Sequence, residues 1–192
     1  MSMRDALTLS AATAFLVLGL GAGASLAQQG YGGPYGFGTT ASEQAIAAVD
    51  IDAMPDGRGL PPGSGTPAQG REVYMVQCAA CHGEQLEGIP DLGGDKLIGG
   101  QGSLASGSPV KTIESYWPYA TTLFDYVKRA MPLVAPGSLS DDEVYAVSAY
   151  ILAEAGIIGQ DQVIDATTLP EVEMPNRDGF VPDPRPDVHS YN

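Results

Sequence analysis

The chain has 192 residues and a formal net charge of −14, a length that suits one domain with extensions. So acidic a balance disfavours a nucleic-acid partner. It favours solubility and a protein partner with a basic docking face.

Residues 1–27 read as a signal peptide. Arg4 supplies the basic start, Leu7 to Leu20 the apolar run, and Ser25-Leu26-Ala27 the small residues at a cleavage site. An uncleaved membrane anchor is the alternative reading, against which Gly19, Gly21, Gly23 and the Ala27 site weigh. Residues 28–66 form a Gly/Pro-rich N-terminal extension. Its first part, Gln28 to Gly38, costs too much ordering entropy to fold alone. Within it, Ala41 to Val49 suits a short helix with Ser42 as N-cap, and Pro55 to Gly65 is turn-rich.

The main domain is expected over 67–156. Pro67 suits a first helical turn, and the spacing predicts a helix over 67–82, with Val73, Val76 and Gln77 on one face and Tyr74 and Met75 beside it. Gly70 costs about 1 kcal/mol there relative to Ala, a cost that a close helix–helix contact offsets. Residues 83–110 are glycine-rich and predict a loop, from which Ile89, Leu92, Leu97 and Ile98 can reach an apolar group. In 112–131, Thr121 or Thr122 is expected to cap a helix ending at Ala130, with Leu123, Phe124 and Val127 as its apolar face and Lys128 and Arg129 at its C-terminal dipole end. Residues 140–155 give the clearest helix. Ser140 and Glu143 make a capping box, Val144, Val147 and Ile151 make the stripe, and Gly156 is the terminator. Residues 157–192 are an acidic, Pro-rich tail that wraps the domain or meets a partner.

The chemistry sits in Cys78-Ala79-Ala80-Cys81-His82, which holds both cysteines of the chain. C-x-x-C-H is the attachment pattern of a c-type haem. Two thiols three positions apart each bond one vinyl group, and the imidazole that follows becomes the proximal iron ligand. A thioredoxin-like pair requires a βαβ context that the sequence lacks. A structural zinc site requires four ligands, and the fourth available, His189, lies in the Pro-rich tail.

The other axial position has four candidates: Met75, Met131, Met174 and His189. Met75 lies on the helix that carries the motif and cannot reach round the porphyrin. Met174 and His189 lie in the tail. Met131, at a Met-Pro exit from a helix, is the preferred ligand. An open iron and a methionine that merely fills core remain the other readings. His/Met ligation raises the potential and suits an electron carrier.

With C-A-A-C-H, A-M-P at 130–132 and the first and last helices, residues 67–156 resemble a class I c-type cytochrome. The resemblance implies an all-α fold of three to five helices around one covalent haem c. It further implies that Gly70 and Tyr74 cross the terminal helix near Tyr150, that the Pro90 carbonyl holds the His82 ring, and that attachment takes place outside the bacterial cytoplasm. The flanking stretches 52–65, 115–132 and 174–187 are similar to the cytochrome subunits of bacterial sulfite dehydrogenases and of the related sulfane dehydrogenase. That likeness implies a periplasmic electron-transfer role as subunit or acceptor of a molybdenum-containing sulfite or sulfur dehydrogenase, with a downstream cytochrome or oxidase. The sulfane dehydrogenase cytochrome carries two haems, whereas this chain has a single C-x-x-C-H, which favours the single-haem, sulfite-type arrangement or a free-standing relative. The competing functions are a general periplasmic carrier, an enzyme or sensor with an open haem site, and, if the signal is uncleaved, a membrane-bound relay. No catalytic constellation stands out in the rest of the sequence.

Overall fold

The computed structural model describes residues 37–184. The expected signal peptide and His189 lie outside them. Residues 37–42 belong to a first unit and are exposed without regular structure; the remaining described residues belong to a second unit that starts at Glu43. Among the described residues no helix is long and apolar enough to cross a membrane.

Among the described residues the second unit holds six α-helices, two 3-10 turns and one minimal ladder. Helix α1 spans Glu43–Ala47, inside the expected segment, and buries no residue. Strand β1 (Ser64–Gly65) precedes α2 (Pro67–Gln77). Thr66 caps α2 in a reciprocal box with Gln69, and Pro67 takes the first turn, where its missing N–H costs nothing. The helix stops sooner than expected. Cys78 leaves helical geometry at φ −122° and starts a separate short helix, α3 (Ala79–His82). Helix α4 (Ile113–Tyr116), capped by Thr112 with Ser115, was not expected.

Helix α5 runs over Ala120–Ala130. Its N-cap position is Tyr119, without a side-chain cap, so neither Thr121 nor Thr122 has that role. Thr121 is buried instead, and its hydroxyl has no partner. Helix α6 (Asp141–Glu154) carries the expected Ser140–Glu143 box, and Gly156 follows it at φ +69°. The Ser140 N–H and hydroxyl hold the Glu143 carboxyl below its ordinary range.

The core is built on the crossing of α2 and α6. A Cβ at Gly70 would collide with the Ala146 carbonyl, so only glycine allows this approach. Tyr74, fully buried, meets Tyr150 at 5.2 Å between ring centroids. Gly70 and Tyr74 lie on the buried face of α2, and Val76 is left at 77% exposure. Leu123, Phe124 and Val127 of α5 bury as expected, with Phe124 against Tyr145 at 4.4 Å.

Segments on both sides of 67–156 enter this core. Strand β2 (Ile164–Asp165) pairs antiparallel with β1, Ser64 opposite Asp165 and Gly65 opposite Ile164. Leu169, Val172 and Met174 bury their side chains, which offsets the ordering cost of a proline-rich tail. Beyond Met174, the Asn176 side-chain amide donates to the Tyr116 carbonyl (2.7 Å), and the Arg177 guanidinium lies 4.8 Å from the Tyr119 ring centre. The N-terminal side is tied down as well. The Tyr145 hydroxyl donates to the Pro61 carbonyl (2.8 Å), and the Ser64 N–H donates to Asp142 Oδ1 (2.8 Å).

Candidate functional site: the Cys78–His82 helix and its surroundings

Helix α3 is one turn long and carries the whole motif. Cys78, at its start, is partly buried against the core, and Cys81 is exposed; neither is in a disulfide. Burial, and secondarily the nearby Cys81, push the Cys78 thiol up to about 11. Among the described residues no three Cys, His, Asp or Glu side chains gather as a metal cluster, so the motif stands apart from any multi-ligand site there.

So short a helix needs outside support, and the chain supplies it from both sides. The Cys81 carbonyl accepts from the Ile89 N–H (2.9 Å), and the His82 carbonyl accepts from the Gly88 N–H (2.7 Å). The buried Tyr74 hydroxyl donates to the Gly83 carbonyl (2.7 Å), and burial raises its pKa well above the ordinary tyrosine value. Gly94 lies so close that a Cβ would collide with the Cys81 carbonyl.

His82 Nδ1 lies 2.7 Å from the backbone oxygen of Asp95. A carbonyl only accepts, so Nδ1 carries the proton and Nε2 keeps its lone pair for a metal. The resemblance had assigned this contact to Pro90. Pro90 instead opens a 3-10 turn, Pro90–Leu92, and its carbonyl accepts from the Gly93 N–H (3.0 Å). Gly93 and Gly94 then swing the chain back, and Asp95 takes the position. The glycine pair marks a turn in the sequence, but nothing there says which carbonyl the turn delivers. Leu97 and Ile98 are partly buried against the core, whereas Leu92 is 59% exposed because the turn points it away.

Met131 stands at the end of α5, its N–H donating to the Val127 carbonyl (3.1 Å). It is partly buried against the same core that Cys78 touches. Met75 lies on α2 and is also partly buried. Met174 is 3% exposed, covered by protein alone.

Two adjacent-turn thiols and an imidazole with a free Nε2 suit a porphyrin held by two thioethers and an axial histidine. The comparisons agree. The family model Cytochrome c matches residues 67–154. The chain is 43% identical, with a TM-score of 0.72, to a chain in the crystal structure of the sulfane dehydrogenase SoxCD from Paracoccus pantotrophus, over 81% of this chain and 75% of that one. It is 34% identical over 86 residues to a thiosulfate dehydrogenase of Stutzerimonas stutzeri and 26% identical over 131 residues to one of Allochromatium vinosum. These alignments span 26% and 42% of the two curated relatives, less than half of each. The chain thus belongs to the cytochrome c family, a carrier of covalently bound haem c.

Proposed function

We propose that this cytochrome transfers single electrons in the periplasm, as subunit or acceptor of a molybdenum-containing sulfite- or sulfur-oxidising dehydrogenase, and has no substrate chemistry of its own. One observation carries the reading. The 43% likeness to a chain of the sulfane dehydrogenase structure covers 81% of this chain and so runs beyond the 67–154 stretch into the flanks. A haem domain alone would not require that.

In this reading Cys78 and Cys81 hold the haem, His82 is the proximal ligand and Met131 the distal one. Met131 is favoured because it remains partly accessible at a helix end, while Met174 is already covered by protein. When bound, the haem supplies a one-electron couple. The chain's residues fix its position: the Asp95 carbonyl keeps the proton on Nδ1 of His82, and the motif carbonyls are satisfied by the loop.

The test is stopped-flow reduction of the ferric protein by the candidate molybdenum dehydrogenase plus sulfite, with a sulfane-sulfur substrate in parallel. Fast reduction is expected. Failure here, with normal reduction by an unrelated dehydrogenase, makes the protein a general carrier. Export is tested by the N-terminus of the protein recovered from the periplasmic fraction, expected at Gln28.

A further inference from the structure

We propose that Asp125 is a positioning residue for Met131, and that residues 52–60 act through it as a clamp on the distal side of the haem. The proposal rests on Met131 as distal ligand. Asp125 lies on α5, and its side chain is 17% exposed. Its Oδ1 accepts from the Ala53 N–H (2.9 Å), and its Oδ2 pairs with Arg129, one turn on (2.9 Å). Arg129 reaches Asp52 with its other terminal nitrogen (2.7 Å). Asp52 and Ala53 are neighbours, so the four groups close a ring between the extension and the last turn of α5. The extension is shaped for this. The Met54 N–H donates to the Arg58 carbonyl (2.8 Å), and Gly59, at φ +83°, has no room for a Cβ against the Asp52 carbonyl.

The clamp sits where the distal side is least supported. From Met131 to Ser140 only Pro132 and Leu139 are buried; Leu133 and Val134 are 71% and 94% exposed. The loop is held at its ends, by the ring at Arg129 and by the Lys128–Asp141 pair. Residues 52–60 lie outside the 67–154 family match, so this restraint is an addition to the haem domain.

The experiment is cyanide binding to the ferric holoprotein, which requires Met131 to leave the iron, with thermal melts in parallel. Asp125→Ala is expected to raise the limiting binding rate about tenfold or more, the factor that loss of a charge-assisted hydrogen bond represents. Asp125→Asn keeps an oxygen for Ala53 and should give a smaller rise, which decides the matter if the alanine variant does not fold. Asp161→Asn, an exposed carboxylate outside both residues 52–60 and the Met131 loop, should bind at the wild-type rate. A lower melting temperature with an unchanged cyanide rate in both Asp125 variants would overturn the clamp. Met131→Ala separates the two readings: if it keeps the methionine–iron band, the ligand assignment fails first.

Discussion

The chain after Cys81 and the chain after Ala130 are held by different chemistry. On the motif itself the restraints carry no carboxylate: backbone N–H groups on the Cys81 and His82 carbonyls, the Tyr74 hydroxyl on Gly83, the Asp95 carbonyl on His82. Around Met131 they are charged and partly exposed: Arg129 with Asp52 and Asp125, and Lys128 with Asp141. Buried neutral bonds keep their strength in salt and across pH, and leaving one unmade is costly. Exposed ion pairs are screened and individually weak. The α3 side is thereby the less salt-sensitive of the two, and the Met131 side the more adjustable.

The largest effect is expected at the crossing that supports α3. Gly70→Leu would drive a side chain into the Ala146 backbone, and backbone cannot step aside as a side-chain tip can. Destabilisation at or above about 3 kcal/mol, the top of the usual overpacking range, should appear in urea unfolding. Near wild-type stability would mean that α2 and α6 slide apart freely. Next, Met131→Ala should abolish the methionine–ferric iron band and lower the potential, while mass spectrometry still finds one covalent haem. Loss of the haem itself would show that the two sides are not separable.

Tyr74→Phe and Asp52→Asn sharpen the contrast directly. The first leaves the buried Gly83 carbonyl with only the longer bond from the Leu86 N–H (3.4 Å) and should cost about 0.5–1.5 kcal/mol, unchanged by salt. The second removes one exposed ion pair and should cost less than about 1 kcal/mol, vanishing at high salt. Equal salt responses would remove the distinction.

Much of this was legible in residues. The Ser140–Glu143 box, Gly70 and Gly156 each carry a local physical reason, and each is found in that role; C-x-x-C-H lies at the start of and along α3, inside the Cytochrome c match. What was hidden depended on long-range packing. Pro90 was a plausible partner for His82 by resemblance, but its 3-10 turn spends its carbonyl on Gly93. Thr121 has good capping chemistry, yet the N-cap falls two residues earlier, at Tyr119, and Thr121 is buried. The turn-rich stretch before Pro67 and the acidic tail lack periodicity, so no helical or strand signal announced that β1 and β2 pair or that Met174 fills core.

The smallest expected effect is a response to acid, and it too should divide the molecule. Glu143, whose box caps α6 at the end of the Met131 loop, has a lowered pKa because of Ser140. Asp165 is held at about 2, first by the Thr167 hydroxyl and then by the Thr168 and Thr167 N–H groups. A carboxyl with a depressed folded pKa stabilises the fold above its unfolded value, and that stability is lost as pH falls through the folded value. For Asp165 the window runs from its ordinary value of 3.8 down to about 2. Stability should therefore be flat from pH 7 to pH 5 as far as these groups decide it, then fall between about pH 4 and pH 2. The α6 cap and the β2 turn should loosen in that window, while the bonds from the Ile89 and Gly88 N–H groups to the Cys81 and His82 carbonyls carry no carboxylate. The measurement is an acid titration that follows the methionine–iron band alongside the Soret band. Loss of the methionine band at higher pH than the collapse of the Soret band is expected. Simultaneous loss would mean that the charged and neutral halves fail as one unit.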